Sequence, residues 1–280
     1  FERSLPSSLF PMVVWGEQGV GDEVHFASMV PDLVDQGAEV ILESDPRLVP
    51  LFERSFPGVT CVPKETPPDS AITDDMDFQI PSGDLGQWLR PGLDAFPDLD
   101  SFLIAEKAQT EALRKKYKNG GDDLLVGIAW ISKNPEIGAD KSIAILDWAP
   151  LADIPGITFI DLQYGGTEAD RATFESETGT AIIRDETIDQ MADLDAFAAQ
   201  VAALDLVISV SNTTVHISGG LGVPTWVLLN TSPLCVWMQD GDTSPWYKSL
   251  KLFRQAETGD WAGVIARVEG ELRAFKAAKG

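Results

Sequence analysis

The sequence predicts an α/β protein built from two doubly wound domains that face each other across a cleft. Three observations carry this. Short apolar runs alternate with helical stretches over almost all of the 280 residues, the pattern that builds parallel sheets with helices on both faces. The alternation stops at Asn119-Gly120-Gly121-Asp122 and then begins again, as it would at a linker. In each half, one strand runs into a turn of small residues and then a helix, at 16–22 and at 211–214. Ligands of such folds sit beyond the carboxyl ends of the strands.

In the first half, residues 12–15 (MVVW) form a strand that ends in GEQGVGDE, residues 16–23. A helix follows, with Val24, Phe26, Ala27, Val30 and Leu33 as its apolar face, and then a strand at 39–43 (EVILE). Strand, glycine turn, helix and strand within about 35 residues make a βαβ unit. A helix at 46–55 and strands at 59–62 and 77–80 continue the series, around a Pro- and Asp-rich loop at 64–76. Residues 81–100 read as loop with one short helix at 86–89, and 106–118 as a polar helix.

After the linker come a strand at 124–130 (LLVGIAW), a polar loop at 132–142 and a short helix at 147–152. Strand 157–163, helix 167–178, strand 181–184 and helix 194–204 follow. Strands at 206–210, 224–229 and near 249–253 and an amphipathic helix at 260–276 complete the chain. The expected division is 1–119, 120–258 and a closing helix, 259–280, packing back toward the first domain.

Composition narrows the function. A 44% hydrophobic content is ordinary for a globular protein. The formal charge of −23 is spread over both halves, a field that works against binding duplex DNA or an anionic membrane. Cys61 and Cys235 make neither a disulfide framework nor a metal pattern, and read as reduced core thiols of a cytoplasmic protein. No apolar run approaches the ~18 residues of a membrane span, and no signal peptide is visible. The opening FERSLPSS has no Met, which reads as a piece of something longer.

The stretch DLVISVSNTTVHISGGLG, residues 205–222, organises the chain. Its apolar run reads as a buried parallel strand. Ser211, Asn212, Thr213 and Thr214 then lead into a helix whose start offers backbone N–H groups to an anion, with His216 one turn further in. In the first half, Asp22 at the end of the glycine turn is either a helix N-cap or a general base, with Glu17 and Glu23 as rivals. Lys133, Asn134 and Lys141 lie just past a strand end in a chain poor in cations, and a lysine there suits a phosphate. The two histidines, His25 and His216, each follow a strand-end turn. Most of the late aromatics read as core, with Trp246-Tyr247 able to flank a cleft. No metal-ligand cluster, G-x-S-x-G or Walker pattern occurs.

Taken together, WGEQGVGDEVHFASMVPDL, GIAWISKNPEIGADKSI, LDLVISVSNTTVHISGGLGVPTWVLL and SPWYKSLKLFRQ resemble the glycosyltransferase domain that follows tetratricopeptide repeats in many bacterial proteins. That domain is similar to the lipopolysaccharide heptosyltransferases and, more distantly, to the O-GlcNAc transferases. The resemblance spans nearly the whole chain, in order. It implies a GT-B architecture of two Rossmann-like domains, with the acceptor mainly on the first and a nucleotide sugar mainly on the second. It implies no cofactor or metal, repeats preceding Phe1, and an acceptor hydroxyl that relatives suggest belongs to a protein. Asp22 falls on the proposed catalytic base, with His25 beside it as a second catalytic candidate. Ser211, Asn212, Thr213, Thr214 and His216 fall on the diphosphate turn, and Lys133, Asn134 and Lys141 on the basic loop. Glu17, Gln18, Gly19, Gly21 and Gln163 complete the expected substrate-binding set. One departure stands out: many relatives carry Asp where this chain has Ser211. A non-catalytic domain that binds a nucleotide sugar or a partner, and a nucleotide-sugar epimerase on the same fold, are the rival readings.

Overall fold

The structure, a computed structural model, describes residues 10–279. The first part of the chain runs β1 (Phe10–Trp15), α1 (Val20–Ala27), α2 (Val30–Asp35), β2 (Ala38–Ser44), α3 (Val49–Ser55), β3 (Thr60–Pro63), β4 (Phe78–Pro81), α4 (Gly86–Leu89) and α5 (Lys107–Lys118). The second part runs β5 (Leu124–Ala129), α6 (Gly138–Lys141), α7 (Ala149–Ala152), β6 (Ile157–Asp161), α8 (Glu168–Thr178), β7 (Ile182–Ile183) and α9 (Leu194–Ala202). It closes with β8 (Leu206–Val210), α10 (Thr213–Gly220), β9 (Thr225–Leu229), β10 (Leu250–Arg254) and α11 (Trp261–Lys279).

The strands form two sheets, in the orders β3-β2-β1-β4 and β10-β9-β8-β5-β6-β7. Every pairing in both is parallel. Strands β5, β8 and β9 are buried at every residue, which is why they read as unbroken apolar runs rather than as alternation. The order of connection reverses at β1 in the first sheet and between β5 and β8 in the second. These are the places where a parallel sheet leaves a crevice beyond its strand ends.

Three expectations are corrected. The helix after the glycine turn ends at Ala27 and restarts at Val30. Pro31 has no N–H to give the Ala27 carbonyl, and its ring would clash there. The closing helix packs on the second sheet: Val264, Ile265, Val268 and Leu272 are buried in one cluster with Trp226 and Phe253. Its apolar face follows the nearest large apolar surface. Cys235 is exposed, and only Cys61 is a core thiol, pushed up to about 12 by burial and the nearby Glu53 carboxylate.

The division at 119/120 does not follow the packing. Helix α5 lies on the second half: Arg114 donates to the Ala203 carbonyl (2.8 Å) and pairs with Asp205 (2.6 Å). The Lys116 ammonium and the Tyr117 hydroxyl both donate to Asp185. One apolar core, containing Phe10, Val14 and Leu42 from the first sheet and Leu125, Val207 and Ile217 from the second half, runs between the sheets. Arg54 of α3 forks onto Asp195 of α9, and Arg47 reaches the Met191 carbonyl. Among the described residues, no helix is long and apolar enough to cross a membrane.

Candidate active site

A pocket of about 280 Å³ opens where the crevices of the two sheets meet. Each wall is a segment just past the carboxyl end of a strand. Gly19, Val20, Gly21 and Asp22 follow β1, and Ser132, Lys133, Asn134 and Lys141 follow β5. Tyr164 follows β6, the run Ser211, Asn212, Thr213 and His216 follows β8, and Leu234 follows β9. The first turns of α1 and α10 thus face one space. Two helix N-termini contribute positive potential there.

Asp22 sits in the first turn of α1, where one carboxylate oxygen accepts the Gly19 N–H at 3.2 Å. The N-cap reading of Asp22 is corrected: the helix begins at Val20 with Gly19 as its N-cap, and Asp22, in the third helical position, reaches back to the cap amide while also lining the pocket. Its second oxygen has no partner among the described residues. The rivals are placed elsewhere. Glu23 is buried against Gly16 and accepts the Asp45 N–H at 2.7 Å, with burial raising its pKa against that bond. Glu17 turns away to accept the Gly83 N–H at 3.0 Å. Gln18 is exposed at φ +62° and is not a pocket residue.

Lys141 is the unusual cation. Its side chain belongs to a residue only 5% exposed, and it makes no ion pair or hydrogen bond among the described residues. Burial depresses its pKa, and the Asp22 charge partly restores it. A buried ammonium without a partner carries a desolvation cost that an incoming anion relieves. Lys133 is exposed, with its ammonium 5.6 Å from the centre of the Tyr164 ring. The Asn134 side-chain oxygen accepts the Glu136 and Ile137 amides.

The turn after β8 is partly self-satisfied. Asn212 caps α10 by accepting the Thr214 N–H at 3.0 Å, and the Val215 amide bonds to the Asn212 carbonyl at 3.2 Å. Fewer amides are therefore free for an anion than the sequence suggests. The Ser211 hydroxyl accepts the Trp237 indole N–H at 2.8 Å. Thr213 faces the pocket. Thr214 instead lines an adjoining recess of about 180 Å³, together with Arg47, Gln190, Leu194 and Phe197. The Thr214 hydroxyl is buried and unpartnered among the described residues.

Two further placements correct the expected site. Gln163 is 1% exposed, and its side-chain Oε1 accepts the Trp130 and Ile131 amides at 3.0 and 2.7 Å. It extends the β5–β6 pairing and does not reach the pocket. His25 is buried behind the pocket, its ring 4.1 Å from that of Trp246 and its Nδ1 3.1 Å from the Tyr247 hydroxyl. It has no direct access to a substrate. His216 lines the pocket, stacks on Trp237 and has its own Nδ1 2.8 Å from the same hydroxyl. Burial, with help from the Lys141 charge, lowers His216 to about 3, so the ring is neutral near pH 7. Tyr164 was not expected here, while Tyr247, expected to flank a cleft, lies behind the pocket wall against His216. Tyr164 directly follows a strand end, a position that does flag it.

No family model matches this chain. The chain is 35% identical over 283 residues to Protein FlbA of Caulobacter vibrioides, covering 95% of this chain and 47% of FlbA. It thus spans about half the length of that curated relative. Among solved structures it is similar to the E. coli ADP-heptose lipopolysaccharide heptosyltransferase II, with a TM-score of 0.68 at 12% identity, covering 96% of this chain and 99% of the other. A family 9 glycosyl transferase from Veillonella parvula gives 0.67 at 14%, with 98% of each chain covered. E. coli heptosyltransferase WaaC with ADP gives 0.59 at 12%, covering 95% and 99%. The fold is that of the heptosyltransferases. At these identities the likeness is one of fold.

Proposed function

We propose that this chain carries a glycosyltransferase site of GT-B type, moving a sugar from a nucleoside diphosphate sugar to an acceptor hydroxyl. The observation that carries it is Lys141, buried and in no ion pair among the described residues, at a pocket shared by two helix N-termini and the carboxylate of Asp22. Departure of a nucleoside diphosphate needs its growing charge stabilised in a dry site, and preorganised donors do this well. Lys141, the start of α10 and the Thr213 hydroxyl supply positive potential and donors without calling on a divalent ion. Asp22, with one oxygen held by Gly19 and the other free, takes the proton of the acceptor hydroxyl as a general base. The recess beside Thr214, apolar on Leu194 and Phe197 with Arg47 at its rim, receives the remainder of a substrate. The fold shared with the heptosyltransferases agrees with this assignment. The resemblance to repeat-associated transferases makes a protein hydroxyl the acceptor class to try first.

The test is thermal stability in the presence of EDTA with UDP, GDP, ADP and CMP and their sugars. A ligand at 100 times its Kd adds about 2.7 kcal/mol, and one nucleoside diphosphate should do so. No shift with any of them would remove the reading. A second reading is favoured by Ser211, whose hydroxyl is committed to Trp237 where many relatives have a carboxylate: the site binds the donor without transferring it. Donor stabilisation with no sugar transferred or released over a panel of acceptors would select that reading.

A further inference from the structure

The mechanism above leaves the buried cluster behind the pocket unused. Tyr247 is 2% exposed and its hydroxyl lies between two imidazole nitrogens, His25 Nδ1 at 3.1 Å and His216 Nδ1 at 2.8 Å. The rings of the two histidines are 5.5 Å apart and edge-on. A phenol has one hydrogen. It can donate to one nitrogen only, and the other nitrogen must then donate to the phenol oxygen. Two neutral imidazoles bound this way necessarily hold opposite tautomers. O–H donors make shorter bonds than N–H donors, so the 2.8 Å contact suits Tyr247 donating to His216 and the 3.1 Å contact suits His25 Nδ1–H donating to Tyr247.

We propose that His25, Tyr247 and His216 form a buried relay of fixed direction that holds His216 as the Nε2–H tautomer and aims that N–H at the pocket as an uncharged donor to a phosphate oxygen. His216 contacts the pocket on the ring edge opposite its Tyr247 bond: its Cδ2, bonded to Nε2, lies 3.3 Å from where a methyl on Gly21 would stand. The surroundings keep every member neutral. His25 is pulled well below the usual imidazole range by burial and by His216. His216 is lowered by burial and by Lys141, and Tyr247 is raised by burial and by Asp22. The other facing rings, Trp237 and Trp246, bear no charge. His25 and Tyr247 are thus positioning residues, and Tyr247 joins α1 of the first half to α10 of the second. The phosphate part of this inference rests on the proposed function; the tautomers do not.

Only two histidines occur in the chain, so nitrogen-labelled histidine and long-range proton–nitrogen NMR on the whole protein give two imidazole patterns. His25→Gln assigns them. The expected spectrum at about pH 7 has His25 as Nδ1–H and His216 as Nε2–H, with the His216 ring still unprotonated at about pH 5. Equal tautomers, or His216 as Nδ1–H, would overturn the relay. In Tyr247→Phe, which keeps the ring but not the hydroxyl, the fixed tautomer of His216 should be lost; an unchanged His216 pattern would also overturn it. Inorganic pyrophosphate, with binding followed by phosphorus NMR, should move the His216 Nε2 resonance more than any signal of His25. Binding that leaves Nε2 unmoved would overturn the donor role. If neither pyrophosphate nor ADP binds, the proposed function and the phosphate role fail together, and the relay stands or falls on the tautomers alone.

Discussion

Gly21 and Thr213 bring the first turns of α1 and α10 into contact: a methyl at Gly21 would come within 3.3 Å of the Thr213 hydroxyl and 3.4 Å of its Cα. The two strand-end turns face each other because this position has no side chain. In Gly21→Ala the helix gains up to about 1 kcal/mol of propensity, while the turns must separate by a few tenths of an ångström. The expected outcome is an unchanged or higher Tm together with weaker nucleoside diphosphate binding. A calorimetric titration beside a melting curve checks both.

Lys141→Met should also divide stability from binding. Removing a buried, unpaired ammonium relieves its desolvation and is expected to stabilise the unliganded protein by about 1 kcal/mol. The same change removes a charged hydrogen bond to the diphosphate, worth about 10- to 100-fold in affinity. Loss of both stability and affinity would show Lys141 to be a structural residue.

Asp22→Asn keeps an oxygen to accept the Gly19 amide, so the α1 cap survives. Turnover should fall by about 10²- to 10⁴-fold, the usual share of a general base. Donor affinity should hold or improve, since a negative charge is removed from beside the diphosphate. Steady-state kinetics with separate measurement of donor Kd distinguishes this from a binding role.

The histidines predict a pH dependence. Both have folded-state pKa values below the ordinary 6.5, about 3 for His216. The unfolded chain therefore takes up protons first as the pH falls. The stability they contribute is full above about pH 6.5 and is lost progressively toward the folded pKa. Between pH 6.5 and 5 the His216 ring should cost about 1.6 kcal/mol, and His25 adds in the same direction. Urea midpoints across this range should show that slope, reduced in His216→Gln.

Much of this was legible from residue pattern. Strand β8 spans the same five residues in the reading and in the structure, 206–210, because a strand buried on both faces is an uninterrupted apolar run. The pocket residues after β1, β5 and β8 were legible for the same reason: strand ends are easy to find, and parallel sheets put their crevices there. What failed was anything set by a distant partner. His25 looked like a mouth residue because it follows a turn, but Tyr247, which buries it, is 222 positions away. Gln163 sits at a strand end like the true pocket residues, and only its bonds to the Trp130 and Ile131 amides show that it faces inward. The Asn119-Gly120-Gly121 turn looked like a domain joint, yet the ion pairs of α5 cross it.

The apolar core that runs from Phe10 and Val14 to Val207 and Ile217 has a consequence for how the molecule comes apart. Neither sheet owns that surface, so cutting the chain near residue 120 would leave each half with an oily face in water. The two halves should melt as one, in a single calorimetric peak whose van't Hoff and measured enthalpies agree. Expressed separately, each should be found in inclusion bodies. Coexpressed, they have every reason to find each other again.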